Sequence, residues 1–156
     1  MINTNWDRWI FASCSKFIDN RKNNVKLYIE GQDRSSKKEE DYAEMRYNGP
    51  FYLQSSPKNY KLNIELNILV NAKKDDSDNH KIYRMCGIFE SSLEAYIPVY
   101  RYGPDSVIDT REYLGCLRRI LNGHREVITN HYGQVSPDIQ VIQSTITAYY
   151  EMDLTI

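Results

Sequence analysis

Two stretches of strict alternation constrain this chain more than anything else in it. Across 60–70 the even positions are Tyr60, Leu62, Ile64, Leu66, Ile68 and Val70, while Lys61, Asn63, Glu65 and Asn67 take the odd ones. Across 142–156 the even positions run Ile142, Ser144, Ile146, Ala148, Tyr150, Met152, Leu154 and Ile156, with mostly polar residues between them. A period of two places one set of side chains on a buried face and the other on a wet one, which is the signature of antiparallel strands packed on one side. The richness in tyrosine, 13 of 156 residues, suits such half-buried surfaces, because the ring is apolar and its hydroxyl wants water or a partner.

The remaining elements are arranged around these ribbons. Trp6, Trp9, Ile10, Cys14, Phe17 and Ile18 share one stripe and predict a helix over 5–20. The tryptophans on it serve either as core anchors or as docking groups for a neighbouring subunit. Short strands are expected at 25–30 and 42–47, and Asn48-Gly49-Pro50 reads as a turn after the second. Further strands are expected at 81–89, 95–102 and 125–132, with a turn through Pro137. The loop 71–79 would cap a long hairpin between 60–70 and 81–89. Val107, Ile108, Tyr113, Leu114, Leu117 and Ile120 partly fit a central helix over 105–122, interrupted by Gly115. The expected fold class is α+β: a mixed, mainly antiparallel sheet with a long hairpin, packed by an N-terminal helix and a central helix. The whole of 1–156 forms one domain, with the charged loops 32–41 and 71–80 as extensions.

Charge and cysteine content narrow the function classes. With 20 basic and 21 acidic residues, the net charge of −1 gives no bulk attraction to nucleic acid or to an anionic membrane. No apolar run approaches the roughly 20 residues that span a bilayer, and the N-terminus does not read as a signal peptide. Three widely spaced cysteines, Cys14, Cys86 and Cys116, suggest reduced thiols in a cytoplasmic setting.

None of the common catalytic or nucleotide-binding motifs is present. His80, His124 and His131 lack ligand-like companions, and Cys116 beside Arg118 and Arg119 has no orienting His–acid pair. The run Asp75-Asp76-Ser77-Asp78-Asn79 lacks the glycine and the distal glutamate of a calcium loop, so it reads as a solvated tip. Arg118, Arg119 and Arg125 form a basic cluster without interleaved aromatics. No catalytic, cofactor-binding or metal-binding residue is therefore nominated, and the chain is expected not to be an enzyme.

Length adds a physical argument for assembly. A regular 15-residue strand spans on the order of 50 Å, whereas a domain of this size is roughly 40 Å across. The last ribbon must bend, or project with unpaired backbone that a second copy would complete.

The order of elements, with Arg46-Tyr47-Asn48-Gly49-Pro50 leading into 60–70 and the closing segment 144–154, resembles the tail terminator proteins of tailed bacteriophages. The resemblance is one of pattern over most of the chain. It implies a virion structural protein that forms a homo-oligomeric ring, a hexamer, capping the head-proximal end of the tail tube and joining tail to neck. The implied partners are further copies of itself, the tail tube protein, the neck or connector protein and the tail sheath. Genomic DNA would pass through without sequence-specific binding, and no membrane is involved. The implied location is the virion tail and neck, with host cytoplasm during assembly. Candidate interface residues are Trp6, Trp9, Arg34, Lys37, Lys38, Glu39, Lys73, Asp75, Asp76, Tyr149, Glu151 and Asp153. The alternatives are another tail or neck component, such as a head-closure or tail-completion protein, and a small cytoplasmic enzyme or ligand-binding domain.

Overall fold

The alternating ribbons form the centre of one curled sheet. The structure is a computed structural model that describes residues 5–29, 41–103, 112–121, 126–136 and 139–155. Its elements are α1 (Trp6–Asp19), β1 (Lys26–Ile29), β2 (Tyr42–Ser56), β3 (Asn59–Lys73), α2 (Lys81–Ser92), β4 (Tyr96–Arg101), β5 (Glu112–Ile120), β6 (Val127–Ser136) and β7 (Ile139–Thr155). The strand order is β1-β2-β3-β7-β5-β4, and β6 also pairs with β7. Only the β1–β2 pair is parallel. The expected class, α+β with a mainly antiparallel sheet, an N-terminal helix and a central helix, is the one observed.

Leu62, Ile64, Leu66 and Ile68 of β3 lie opposite Met152, Tyr150, Ala148 and Ile146 of β7, and all are buried on one face. Both helices pack on that face. α2 covers β3 and β7, while α1 touches both β2 and β4. Since those strands lie toward opposite ends of the sheet, the sheet bends around α1. Ile10, Cys14 and Ile18 enter the core from α1, and Ile82, Cys86 and Phe89 from α2.

The opposite face is mostly polar, and several of its side chains pair across the strands. Asn48 and Asn67 donate to Glu65 at 3.4 and 3.0 Å, Thr147 donates to Asn67 at 2.6 Å, and Gln143 donates to Asn71 at 2.9 Å. Such pairs fix the register, because a one-residue slip would exchange the two faces.

Four expectations need correction. Residues 81–89 are helical, not a strand: Ile82, Met85, Cys86 and Phe89 fall at offsets of three, four and seven and make one buried stripe. The central helix is therefore α2, and 112–120 of the segment expected to be helical is strand β5. There Gly115 leaves room for Met152, whose Sδ would lie 3.1 Å from an added Cβ. Asn48-Gly49-Pro50 is no chain reversal but an irregularity inside β2, and the long hairpin is β2–β3, turning at Pro57 and Lys58. Finally, the closing ribbon does not project unpaired. β3 covers one side of β7 from Asn59↔Thr155 to Lys73↔Val141, and β5 and β6 cover most of the other. The first half of 105–122, the loop 32–40 and Pro137 lie outside the described residues.

Three buried acids make the fold sensitive to base. Burial pushes the Cys14 thiol and the Tyr47 and Tyr150 hydroxyls well above their ordinary values of 9.0 and 10.0. Above those ordinary values the unfolded chain gives up protons that the folded chain retains, so stability falls as pH rises. Urea midpoints should be flat from pH 7 to about 8.5 and decline from about pH 9 to 11; a midpoint that rises over the upper range contradicts this burial.

Candidate functional site

One end of the sheet is closed and the other is open. At the closed end, Pro98 in β4 has no amide to offer, and the Tyr100 amide donates to Ser13 Oγ on α1 at 3.0 Å. Beyond β4, Trp9 Nε1 donates to the Tyr102 carbonyl at 3.1 Å and Arg8 to the Gly103 carbonyl at 2.6 Å. A strand edge covered by a helix in this way cannot recruit another chain.

At the open end, β1 pairs only with residues 42–45 of β2. The rest of β2 has no partner on its outer side among the described residues; its last part, 51–56, with the start of β3 that stays paired to β7, forms a hairpin end, the arm. Phe51, Tyr52 and Leu53 on this arm are 55, 37 and 65% exposed. Phe51 and Leu53 lie opposite Asn63 and Lys61 on the outer face, whereas Tyr52 lies opposite Leu62 on the helix side. Three consecutive exposed apolar residues on an edge strand are costly in water, and natural edges are usually blunted by charge or short length.

The base of the arm is fixed by α1. Phe11 packs edge-on against Tyr47 with ring centroids 5.5 Å apart. Asp7, Arg8, Phe11, Tyr47 and Gly49 line a shallow hollow of about 360 Å³ there. Gly49 has φ of 109°, and a Cβ at this position would stand 3.0 Å from the Asn63 carbonyl oxygen. Gly49→Ala should therefore strain the bulge by about 2 kcal/mol and lower the melting temperature; an unchanged melting temperature would show that the arm leaves the sheet differently.

The second open edge belongs to β6. Among the described residues it pairs with β7 on one side only, and His131, Tyr132 and Gly133 are exposed. The Tyr132 ring is 62% exposed, and its hydroxyl accepts from Thr145 at 3.2 Å on the outer face. On the helix side, the His131 ring lies 4.9 Å from that of Tyr83 of α2, itself 55% exposed.

Chemistry-bearing groups do not converge on a reactive centre. His131 Nδ1 is 2.7 Å from Ser144 Oγ, and Ser144 also hydrogen-bonds the Cys86 thiol. Ser144 is fully buried beneath α2, so its hydroxyl faces no solvent and ties the exposed His131 of β6, and α2, to β7. His80 occupies the N-cap of α2, and His124 lies outside the described residues. No group of three His, Cys, Asp or Glu side chains able to hold a metal ion occurs among the described residues.

The residues nominated from sequence are scattered. Trp9 is buried in the core and Trp6 is half-buried against it, with ring centroids 5.5 Å apart, so the core-anchor alternative holds for Trp9. Lys73 ends β3, where its amide donates to Asp41 at 2.7 Å. Asp75 caps Ser77, whose amide and hydroxyl hold the carboxyl below the usual carboxylate range, and Asp76 is exposed beside it. These residues border a separate cleft of about 240 Å³ that also includes Ile82 and Ile142. Glu151 lies between Arg118 at 2.5 Å and Lys61 at 3.7 Å, while Tyr149 and Asp153 flank it along β7 on the same face. Arg34, Lys37, Lys38 and Glu39 lie outside the described residues. Sequence reading missed Phe51, Tyr52 and Leu53. The signal was an apolar triplet without alternation, next to the polar run Gln54-Ser55-Ser56.

No family model and no curated protein matches the chain. No described helix is long and apolar enough to cross a membrane.

Proposed function

We propose that this protein is a structural subunit that acts by assembling with copies of itself, in the manner of a phage tail terminator. Six copies would form a ring at the head-proximal end of the tail tube and join it to the neck. The observation that carries the reading is the arm, whose outer strand edge has no partner among the described residues and which bears Phe51, Tyr52 and Leu53 in water. Such a surface is stabilised by docking, and an arm rooted in the sheet is held ready for it at little conformational cost. In a ring each subunit presents two different patches, one to each neighbour, so the contact is heterologous and closes on itself. The tube below and the connector above would meet the rims, where the charged segment 74–80 belongs in this reading.

The test is negative-stain imaging and light scattering of the purified protein at high concentration. The expected species is a closed ring of six times 18.4 kDa, about 110 kDa. A protein that stays at 18.4 kDa at every concentration, and also when mixed with tail tubes, contradicts the reading.

A further inference from the structure

The assembly reading leaves open which surface receives the arm, and the sheet itself suggests an answer that rests on that reading. Four strands, β2, β3, β7 and β6, lie side by side in that order, each antiparallel to the next. β2 and β6 therefore run in opposite directions and form the two sides of one layer. If a second copy is placed beside the first in the same orientation, β2 of one meets β6 of the other antiparallel, with outer face beside outer face. We propose that the outer edge of the arm, residues 51–56, pairs with the outer edge of β6 in the neighbouring copy and continues the sheet from subunit to subunit.

Side chains and register both fit this contact. On the outer face Phe51 and Leu53 come beside Tyr132, and on the helix side Tyr52 comes beside Tyr83. The two open edges are also displaced along the strand direction. Tyr47, Leu66, Ala148 and Val127 form one row across the four strands. The arm continues to one side of that row and β6 to the other. Neighbouring copies must slide past one another to pair, and a sheet that closes on itself requires such a stagger.

The available area sets the strength. Aromatic side chains cover about 150–250 Å² each, so the exposed parts of Phe51, Tyr52, Leu53, Tyr83 and Tyr132 supply roughly 500 Å². A stable two-protein interface buries about 1,600 Å² in total. Even with a short backbone ladder added, one contact is too small to hold an isolated dimer. Ring closure engages two such contacts per subunit and raises the effective concentration of the last one. Dilute protein is thus monomeric, and assembly is steep in concentration or waits for a template.

The experiment uses two full-length proteins, both with Cys116→Ser, one carrying Leu53→Cys and the other Tyr132→Cys. They are mixed at high concentration and treated with a short bismaleimide. The expected product is a covalent dimer joining position 53 to position 132, at least tenfold above either self-linked product. Phe51→Ser in the first protein should reduce it at least tenfold. Asn130→Cys probes the same edge if Tyr132→Cys does not fold. Absence of the mixed product, or dominance of 53-to-53 linkage, overturns the pairing. Light scattering of the unsubstituted protein, alone and with tail tubes, separates the two failures: large species without the mixed product refute this contact alone, while monomer at every concentration and also with tail tubes refutes the assembly reading with it.

Discussion

Replacing Phe51 and Leu53 together by serine is expected to abolish self-assembly while leaving the fold intact. Each side chain is more than half exposed in the isolated subunit. Burying the remainder contributes about 1–2 kcal/mol apiece, taking 1.5–3 kcal/mol for a fully buried large apolar side chain. Losing both costs one contact about 2–4 kcal/mol, or roughly thirtyfold to several hundredfold in affinity. A ring repeats the loss at every joint, so the effect on assembly is far larger than on one pair. Stability should change by less than about 0.5 kcal/mol, as is usual for exposed positions. Sedimentation of the variant beside the unsubstituted protein reads the first quantity, and a urea melt reads the second. A variant that assembles normally removes the arm from the account.

The other large effect concerns α2. Phe89 is fully buried where α2 covers the central strands. Phe89→Ala should cost about 3–5 kcal/mol, a large part of the 5–15 kcal/mol that holds a typical domain together. For this chain length that is a drop of about 10 °C in the melting temperature. Gly87→Ala, two residues away, should act in the opposite sense. An added Cβ there meets nothing within 4 Å, and alanine is preferred over glycine inside a helix by up to about 1 kcal/mol. Opposite signs at positions 87 and 89 are expected of a helix with one buried stripe. Destabilisation by both would favour the strand that the sequence first suggested for this segment.

That segment shows why parts of the fold were legible and others were not. The alternation in 60–70 and 142–156 could be read directly, because both ribbons bury one face against helices and leave the other polar along their whole length. In 81–92 the adjacent pairs Ile82-Tyr83 and Ile88-Phe89 look strand-like, and the offsets of three and four become decisive only when Met85 and Cys86 are grouped with them. The reverse occurs in β5, where Leu114, Leu117 and Ile120 sit three apart as in a helix. Pairing with β4 and with Arg118↔Glu151 in β7 overrides that spacing. Gly49 and Pro50 serve turns and bulges equally well, so their presence did not distinguish a reversal from a kink in a longer strand.

The candidate surface was less visible than the fold. Strand length singles out the closing ribbon, yet that ribbon lies at the centre of the sheet with neighbours on both sides. Edge or centre is a property of topology, and no local pattern in 142–156 records it. Among the described residues the open outer edges belong instead to β2 and β6, whose sequences alternate less regularly. Their positions at opposite sides of one layer emerge only when strand order is known.

Amide hydrogen exchange followed over a concentration series tests the central claim most directly. If copies complete one another through these edges, residues 51–56 and 131–136 should both gain protection over the same concentration range, in step with the appearance of the larger species. The central strands β3 and β7 should be equally slow throughout. Large species that leave the outward-facing amides of both segments exchanging freely, or outward-facing amides of the arm already protected in dilute monomer, would contradict it.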